Sequence, residues 1–165
     1  MSLKKIETYR TSSSEETRKL GYNIARSLLN GGAAKPMAAV LALQGDLGAG
    51  KTTFVQGFLK GLGSKRRVTS PTFVLMRRHK VPGGKFSDVF HIDAYRLKKP
   101  EHLAALTLDV ILSGPRNVVL IEWPELAKRF LPKNTIWLKF AHGKKENERT
   151  ITVVRPALMR QPRAK

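Results

Sequence analysis

Residues 37–63 read MAAVLALQGDLGAGKTTFVQGFLKGLG, and inside them the hydrophobic period changes once. Residues 37–43 are almost continuously apolar, the pattern of a strand buried on both faces of a sheet. From Thr52 to Leu62 the apolar residues Phe54, Val55, Phe58, Leu59 and Leu62 take helical spacing, and Gly63 stops the run. Between the two lies Gly45-Asp46-Leu47-Gly48-Ala49-Gly50-Lys51-Thr52, which fits G-x-x-x-x-G-K-[ST] in full. A random chain of this length meets that pattern roughly once in a few hundred. Here it also has the strand before it and the helix after it that a phosphate loop requires.

The residue types follow from the chemistry. Glycines let consecutive backbone N–H groups face a phosphate with no side chain in the way. The helix that starts there adds its positive end. Gly45, Asp46, Leu47, Gly48, Ala49, Gly50, Lys51, Thr52 and Thr53 are therefore the expected nucleotide-binding residues. Lys51 would reach the β- and γ-phosphate oxygens, and the Thr52 hydroxyl would join a magnesium shell. Magnesium needs a further protein oxygen. Residues 118–122, Val-Val-Leu-Ile-Glu, supply one by ending an apolar strand on Glu122, at the carboxyl edge where open α/β sheets bind ligands. Trp123 beside it suits either a wall of the site or the core.

Working outward, residues 4–9 read as a short strand, and Ser12-Ser13-Ser14-Glu15-Glu16 supplies capping hydroxyls followed by acids, a helix start. That helix ends at Asn30-Gly31-Gly32. Residues 72–81 and 86–92, joined through Pro82-Gly83-Gly84, read as a hairpin. Pro100 opens a helix running through Leu103 and Leu106. Residues 124–130 suit one or two helical turns, and residues 135–141 and 150–154 a final hairpin around Gly143-Lys144-Lys145. The predicted fold is a single α/β P-loop NTPase domain over residues 1–154, with a mixed, partly antiparallel sheet flanked by helices. Residues 155–165 are basic, carry two prolines and lack an apolar period, and so read as a disordered tail.

Two further clusters carry polar chemistry. Thr69-Ser70-Pro71-Thr72 follows the phosphate-loop helix, where switch-type loops sit, so the hydroxyls of Thr69, Ser70 and Thr72 are placed to sense a γ-phosphate. In His91-Ile92-Asp93-Ala94-Tyr95-Arg96 the residues His91, Asp93 and Tyr95 share one face of an extended segment. Asp93 would orient a water or help hold the metal, since phosphoryl transfer asks mainly for positioning and charge.

Composition narrows the partners. The 165 residues contain 31 Lys and Arg against 12 Asp and Glu, a net charge of +19. From Leu47 to Ser87 there are nine basic residues and no acid, a field that attracts polyanions and nucleic acid above all. The absence of cysteine excludes disulfides and a thiolate nucleophile, and the four histidines lack ligand spacing. No signal peptide or membrane-length apolar run is present, so a cytoplasmic protein without membrane attachment is expected.

Gly-Asp-Leu-Gly-Ala-Gly-Lys-Thr-Thr-Phe, Ser-Pro-Thr-Phe, His-Ile-Asp-Ala-Tyr-Arg and Ile-Glu-Trp-Pro-Glu, in this order, resemble the bacterial TsaE ATPases from about Ser14 to Val154. The resemblance implies a small magnesium-dependent ATPase of tRNA threonylcarbamoyladenosine modification. Such a protein binds the threonylcarbamoyl transferase and its dimerisation partner, and its ATP hydrolysis, slow alone, supports their turnover. Carried onto this chain, Lys51 contacts phosphates, Thr52 with Glu122 binds magnesium, and Asp93 is the acid near the γ-phosphate. Arg149 lies toward the base or sugar, with residues 11–14 approaching the same end. The chain departs from the family in its charge, which leaves open direct tRNA contact through the basic patches, docking of the partner proteins, or neither. Two other readings stay open: a P-loop small-molecule kinase, although no segment reads as a helical lid, and a nucleic-acid-binding module with a regulatory nucleotide site.

Overall fold

The computed structural model describes residues 4–32, 35–65, 75–104 and 106–156. Along the chain these form β1 (Lys5–Thr11), α1 (Ser14–Asn30), β2 (Ala39–Gln44), α2 (Lys51–Gly61), β3 (Met76–Lys80), β4 (Asp88–Asp93), α3 (Glu101–Ala104), α4 (Leu108–Ser113), β5 (Asn117–Glu122), β6 (Ile136–His142) and β7 (Arg149–Arg155). The strands make one sheet in the order β1-β7-β6-β2-β5-β4-β3. Its centre, β6-β2-β5-β4, is parallel; β3 pairs antiparallel with β4, and β6, β7 and β1 pair antiparallel in succession. The P-loop NTPase fold and the mixed sheet are thus as the sequence predicts.

The unbroken apolar runs of β2 and β5 have a direct cause. Leu41, Leu43, Val118 and Leu120 pack on Phe54, Phe58 and Leu59 of α2 and Ile24 of α1. Their alternates Val40, Ala42, Val119 and Ile121 pack on Leu103, Leu108, Ile111 and Leu112 on the other face. A strand covered on both sides can spare no polar position, and each buried valine, leucine or isoleucine here stabilises the fold by about 1.5–3 kcal/mol.

Helices α1 and α2 touch backbone to backbone. A Cβ at Gly57 would lie 1.9 Å from Arg18 O, and one at Gly21 would lie 2.3 Å from Phe54 O. Neither neighbour can swing aside as a side chain would. Gly57→Ala is expected to cost about 2–3 kcal/mol, despite the ~1 kcal/mol that alanine gains in helix propensity. Thermal denaturation should show a fall of roughly 4–12 °C; an unchanged midpoint would contradict this helix contact.

Several boundaries differ from the sequence expectation. The helix opened by Pro100 ends at Ala104, and Leu106 lies in a turn whose N–H bonds Leu103 O at 3.0 Å. Thr107 then adopts φ 49° and a second helix, α4, begins, burying Leu108, Ile111 and Leu112. That run is too short for its period to be read from sequence. Residues 124–130 yield only one 3-10 turn, Lys128–Phe130. Strand β7 takes in Arg155, assigned to the tail by sequence, because it pairs with Lys5 of β1. Residues 157–165 lie outside the described residues, as do residues 72–74 of the strand expected before β4.

Candidate nucleotide site

Strand β2 delivers the chain to the carboxyl edge of the sheet, where residues 45–50 turn it into α2. Gly45 has φ 149° and passes so close to β6 that a Cβ would lie 2.5 Å from Phe140 O. Gly50, at φ 97°, caps α2 without a side-chain hydrogen bond. Phe54 N–H is bonded to Gly50 O at 2.9 Å. The N–H groups of Lys51, Thr52 and Thr53 stand ahead of it in the first turn, where an α-helix offers its own donors no acceptor. Such a terminus is built to receive an anion.

The neighbouring strand ends face this terminus. In the sheet register Leu43 stands opposite Glu122, and Glu122 opposite Asp93. The Thr52 hydroxyl lies 3.2 Å from both carboxylate oxygens of Glu122, which is only 3% exposed. Residues 70 positions apart are thereby joined as a hydroxyl–carboxylate pair. This is a hard oxygen donor set of the kind magnesium takes when phosphates and waters complete its shell. Among the described residues there is no cluster of three or more His, Cys, Asp and Glu that could hold a metal by protein groups alone. The Thr52–Glu122 pair fits a magnesium ion whose remaining ligands would come from outside the protein.

Lys51 is 4% exposed, and its Nζ donates to Gly45 O at 2.5 Å and Asp46 O at 2.8 Å. It also lies 4.2 Å from the centroid of the Trp123 ring. Burial lowers its pKa below the usual lysine value, and attraction from Glu122, then Asp93, Glu125 and Asp46, only partly opposes this. A cation held there at a desolvation cost is poised for an anion that restores its balance. Trp123 itself takes φ 56° and packs against Tyr95 with ring centroids 4.8 Å apart and the planes tilted by 48°, so it walls the site.

The period-two face expected for His91, Asp93 and Tyr95 holds only for the first two. Strand β4 ends at Asp93, whose Oδ1 accepts the Tyr95 N–H at 3.0 Å, and Tyr95 turns out to 53% exposure. His91 is wholly buried, with Nε2 2.8 Å from Glu122 Oε1. Sequence spacing gave no sign of that contact across 31 residues. The available signal was a histidine embedded in an otherwise apolar strand, which needs a polar partner.

At the other end of the loop, Arg149 donates to Gly48 O at 3.1 Å and to Glu148 O at 2.7 Å, tying the β6–β7 hairpin to the phosphate loop. It lines a cavity of about 710 Å³ with Thr11, Ser12, Glu16, His142 and Lys144. Residues 11–14 are fixed there by capping. Ser13 Oγ accepts Glu16 N–H at 3.1 Å, and Glu16 Oε2 accepts Ser12 N–H at 2.7 Å, which with the Ser12 hydroxyl bond holds the Glu16 carboxyl below its ordinary pKa. The structure thus brings Arg149 and residues 11–12 to one cavity beside the loop. Thr69, Ser70 and Thr72 lie outside the described residues.

A sequence model described as "Threonylcarbamoyl adenosine biosynthesis protein TsaE" matches residues 11–151. The chain is 37% identical over 147 residues to the tRNA threonylcarbamoyladenosine biosynthesis protein TsaE of Bacillus subtilis, covering 88% of this chain and 85% of that one. It is 42% identical over 118 residues to the protein of the same name from Rickettsia felis, covering 71% of this chain but only 62% of the longer relative. A crystal structure of Bacillus subtilis YdiB superposes with a TM-score of 0.69 at 33% identity, covering 93% of this chain and 87% of that one.

Proposed function

The chain belongs to the TsaE family, whose role lies in tRNA threonylcarbamoyladenosine biosynthesis, and from that premise we propose that it is a magnesium-dependent ATPase serving that modification. The observation that carries the proposal is the Thr52 hydroxyl set 3.2 Å from the Glu122 carboxylate at the mouth of a complete phosphate loop. The backbone N–H groups of the loop and of the first turn of α2 hold the phosphate chain, and Lys51 exchanges its loop carbonyls for phosphate oxygens. Thr52 and Glu122 hold magnesium, which when bound offsets the charge developing on the transferred phosphoryl group. Asp93, paired in register with Glu122, orients the attacking water. Trp123 and Tyr95 cover this end, and the cavity lined by Arg149 and Thr11 takes the sugar and base.

The protein acts in this reading on the threonylcarbamoyl transferase and its dimerisation partner, in the cytoplasm, and its hydrolysis sustains their repeated turnover. The net charge of +19 suits a complex that assembles on tRNA. No described helix is long and apolar enough to cross a membrane. Phosphate release by the purified chain tests the proposal: slow alone, stimulated by the transferase pair, and lost on Lys51→Ala. ATP consumption that instead tracks phosphorylation of an added metabolite would replace it with kinase chemistry.

A further inference from the structure

Glu122 has to present oxygen to a metal in one orientation, yet Thr52 alone does not set that orientation, because its hydroxyl is 3.2 Å from both carboxylate oxygens. A second group distinguishes them. His91 Nε2 lies 2.8 Å from Oε1 and makes no comparable contact with Oε2. The histidine is 0% exposed, and sheet pairing fixes its backbone, with His91 opposite Leu120 and Asp93 opposite Glu122. Its other nitrogen, Nδ1, is buried and has no hydrogen-bond partner among the described residues. A histidine kept wholly inside a sheet with one nitrogen unpaired is a poor way to fill space, since an apolar side chain would pack without an orphaned polar atom. The contact with Glu122 is what its ring supplies. A carboxylate is an acceptor only, so Nε2 carries the proton and donates.

We propose that His91 is the positioning residue of the metal site: its Nε2–H pins Glu122 Oε1, leaving Oε2 and the Thr52 hydroxyl directed at magnesium. This rests on the magnesium–triphosphate reading above. His91 touches neither substrate nor metal; it acts through Glu122, as outer-shell groups orient the ligands of other metal sites.

Two amides of the same chemistry but different reach separate hydrogen bonding from mere polarity. In His91→Gln the amide nitrogen extends about as far as Nε2, whereas in His91→Asn it stops near the position of Nδ1. The readout is equilibrium binding of a fluorescent, non-hydrolysable ATP analogue in EDTA and across a magnesium titration, with melting temperature recorded alongside. In EDTA both variants should bind within about twofold of the parent. The magnesium concentration at half-effect should rise about tenfold or more in His91→Asn and stay within about threefold in His91→Gln, the range outer-shell losses produce. Should the Asn protein fail to fold, His91→Met makes the same comparison without a donor. Equal magnesium response in Gln and in Asn or Met would overturn the positioning role while leaving the metal site standing. A parent protein whose nucleotide affinity ignores magnesium would overturn both.

Discussion

Lys51→Met lowers affinity for ATP about a hundredfold or more and leaves the nucleotide-free protein close to the parent in stability. The first half follows from charge-assisted hydrogen bonds to phosphate, which contribute roughly 1.5–3 kcal/mol each, with 1.4 kcal/mol equivalent to a factor of ten. The second half follows from the surroundings of Lys51. It is 4% exposed, and desolvation outweighs attraction from Glu122 and Asp93, so its pKa is lowered. The charged lysine therefore carries a desolvation cost, and methionine removes that cost while filling similar space, which offsets the lost Nζ hydrogen bonds to Gly45 O and Asp46 O. Because the folded-state value lies below the ordinary 10.5, the unfolded chain holds the proton over a window in which the folded one has lost it. Stability of the parent relative to the variant should accordingly rise with pH between the lowered value and about 10.5. Calorimetric melting with and without ATP checks both halves. A variant that melts well below the parent without nucleotide would show that Lys51 is a structural residue.

Glu122→Gln should separate binding from chemistry. The substitution keeps the shape of a side chain that is 3% exposed and keeps an amide oxygen able to accept from Thr52 or His91, so the fold should survive. It removes the negative charge that the metal needs. Metal-free nucleotide affinity should stay within a few-fold of the parent, while magnesium-dependent hydrolysis falls on the order of a hundredfold or more. Stopped-flow phosphate release beside a binding titration measures the two together. Hydrolysis at the parent rate would remove Glu122 from the metal site.

The central fold was legible because β2, the phosphate loop and α2 are contiguous, and each announces itself by local period or by glycine. The same holds for β5, where residues 118–121, buried in the sheet, are all apolar before Glu122. What sequence could not supply was distance across the fold. The His91–Glu122 contact spans 31 residues and depends on β4 lying next to β5, a pairing no local pattern encodes. Tyr95 failed for the opposite reason: strand alternation was extended two residues beyond the point where the Asp93 side chain, by accepting the Tyr95 N–H, turns the chain. Trp123 was open between wall and core, and its left-handed backbone, which points the ring at Lys51, decided for the wall. Helix α4 was missed because six residues carry too little period to distinguish from a loop.

The most direct test of the account is phosphate release from ATP by the purified chain in magnesium, alone and with the threonylcarbamoyl transferase and its dimerisation partner. Hydrolysis should be slow alone, rise at least tenfold with both partners present, and vanish in Lys51→Ala or in EDTA. A rate unchanged by the partners, or one that persists without Lys51 or magnesium, would contradict it.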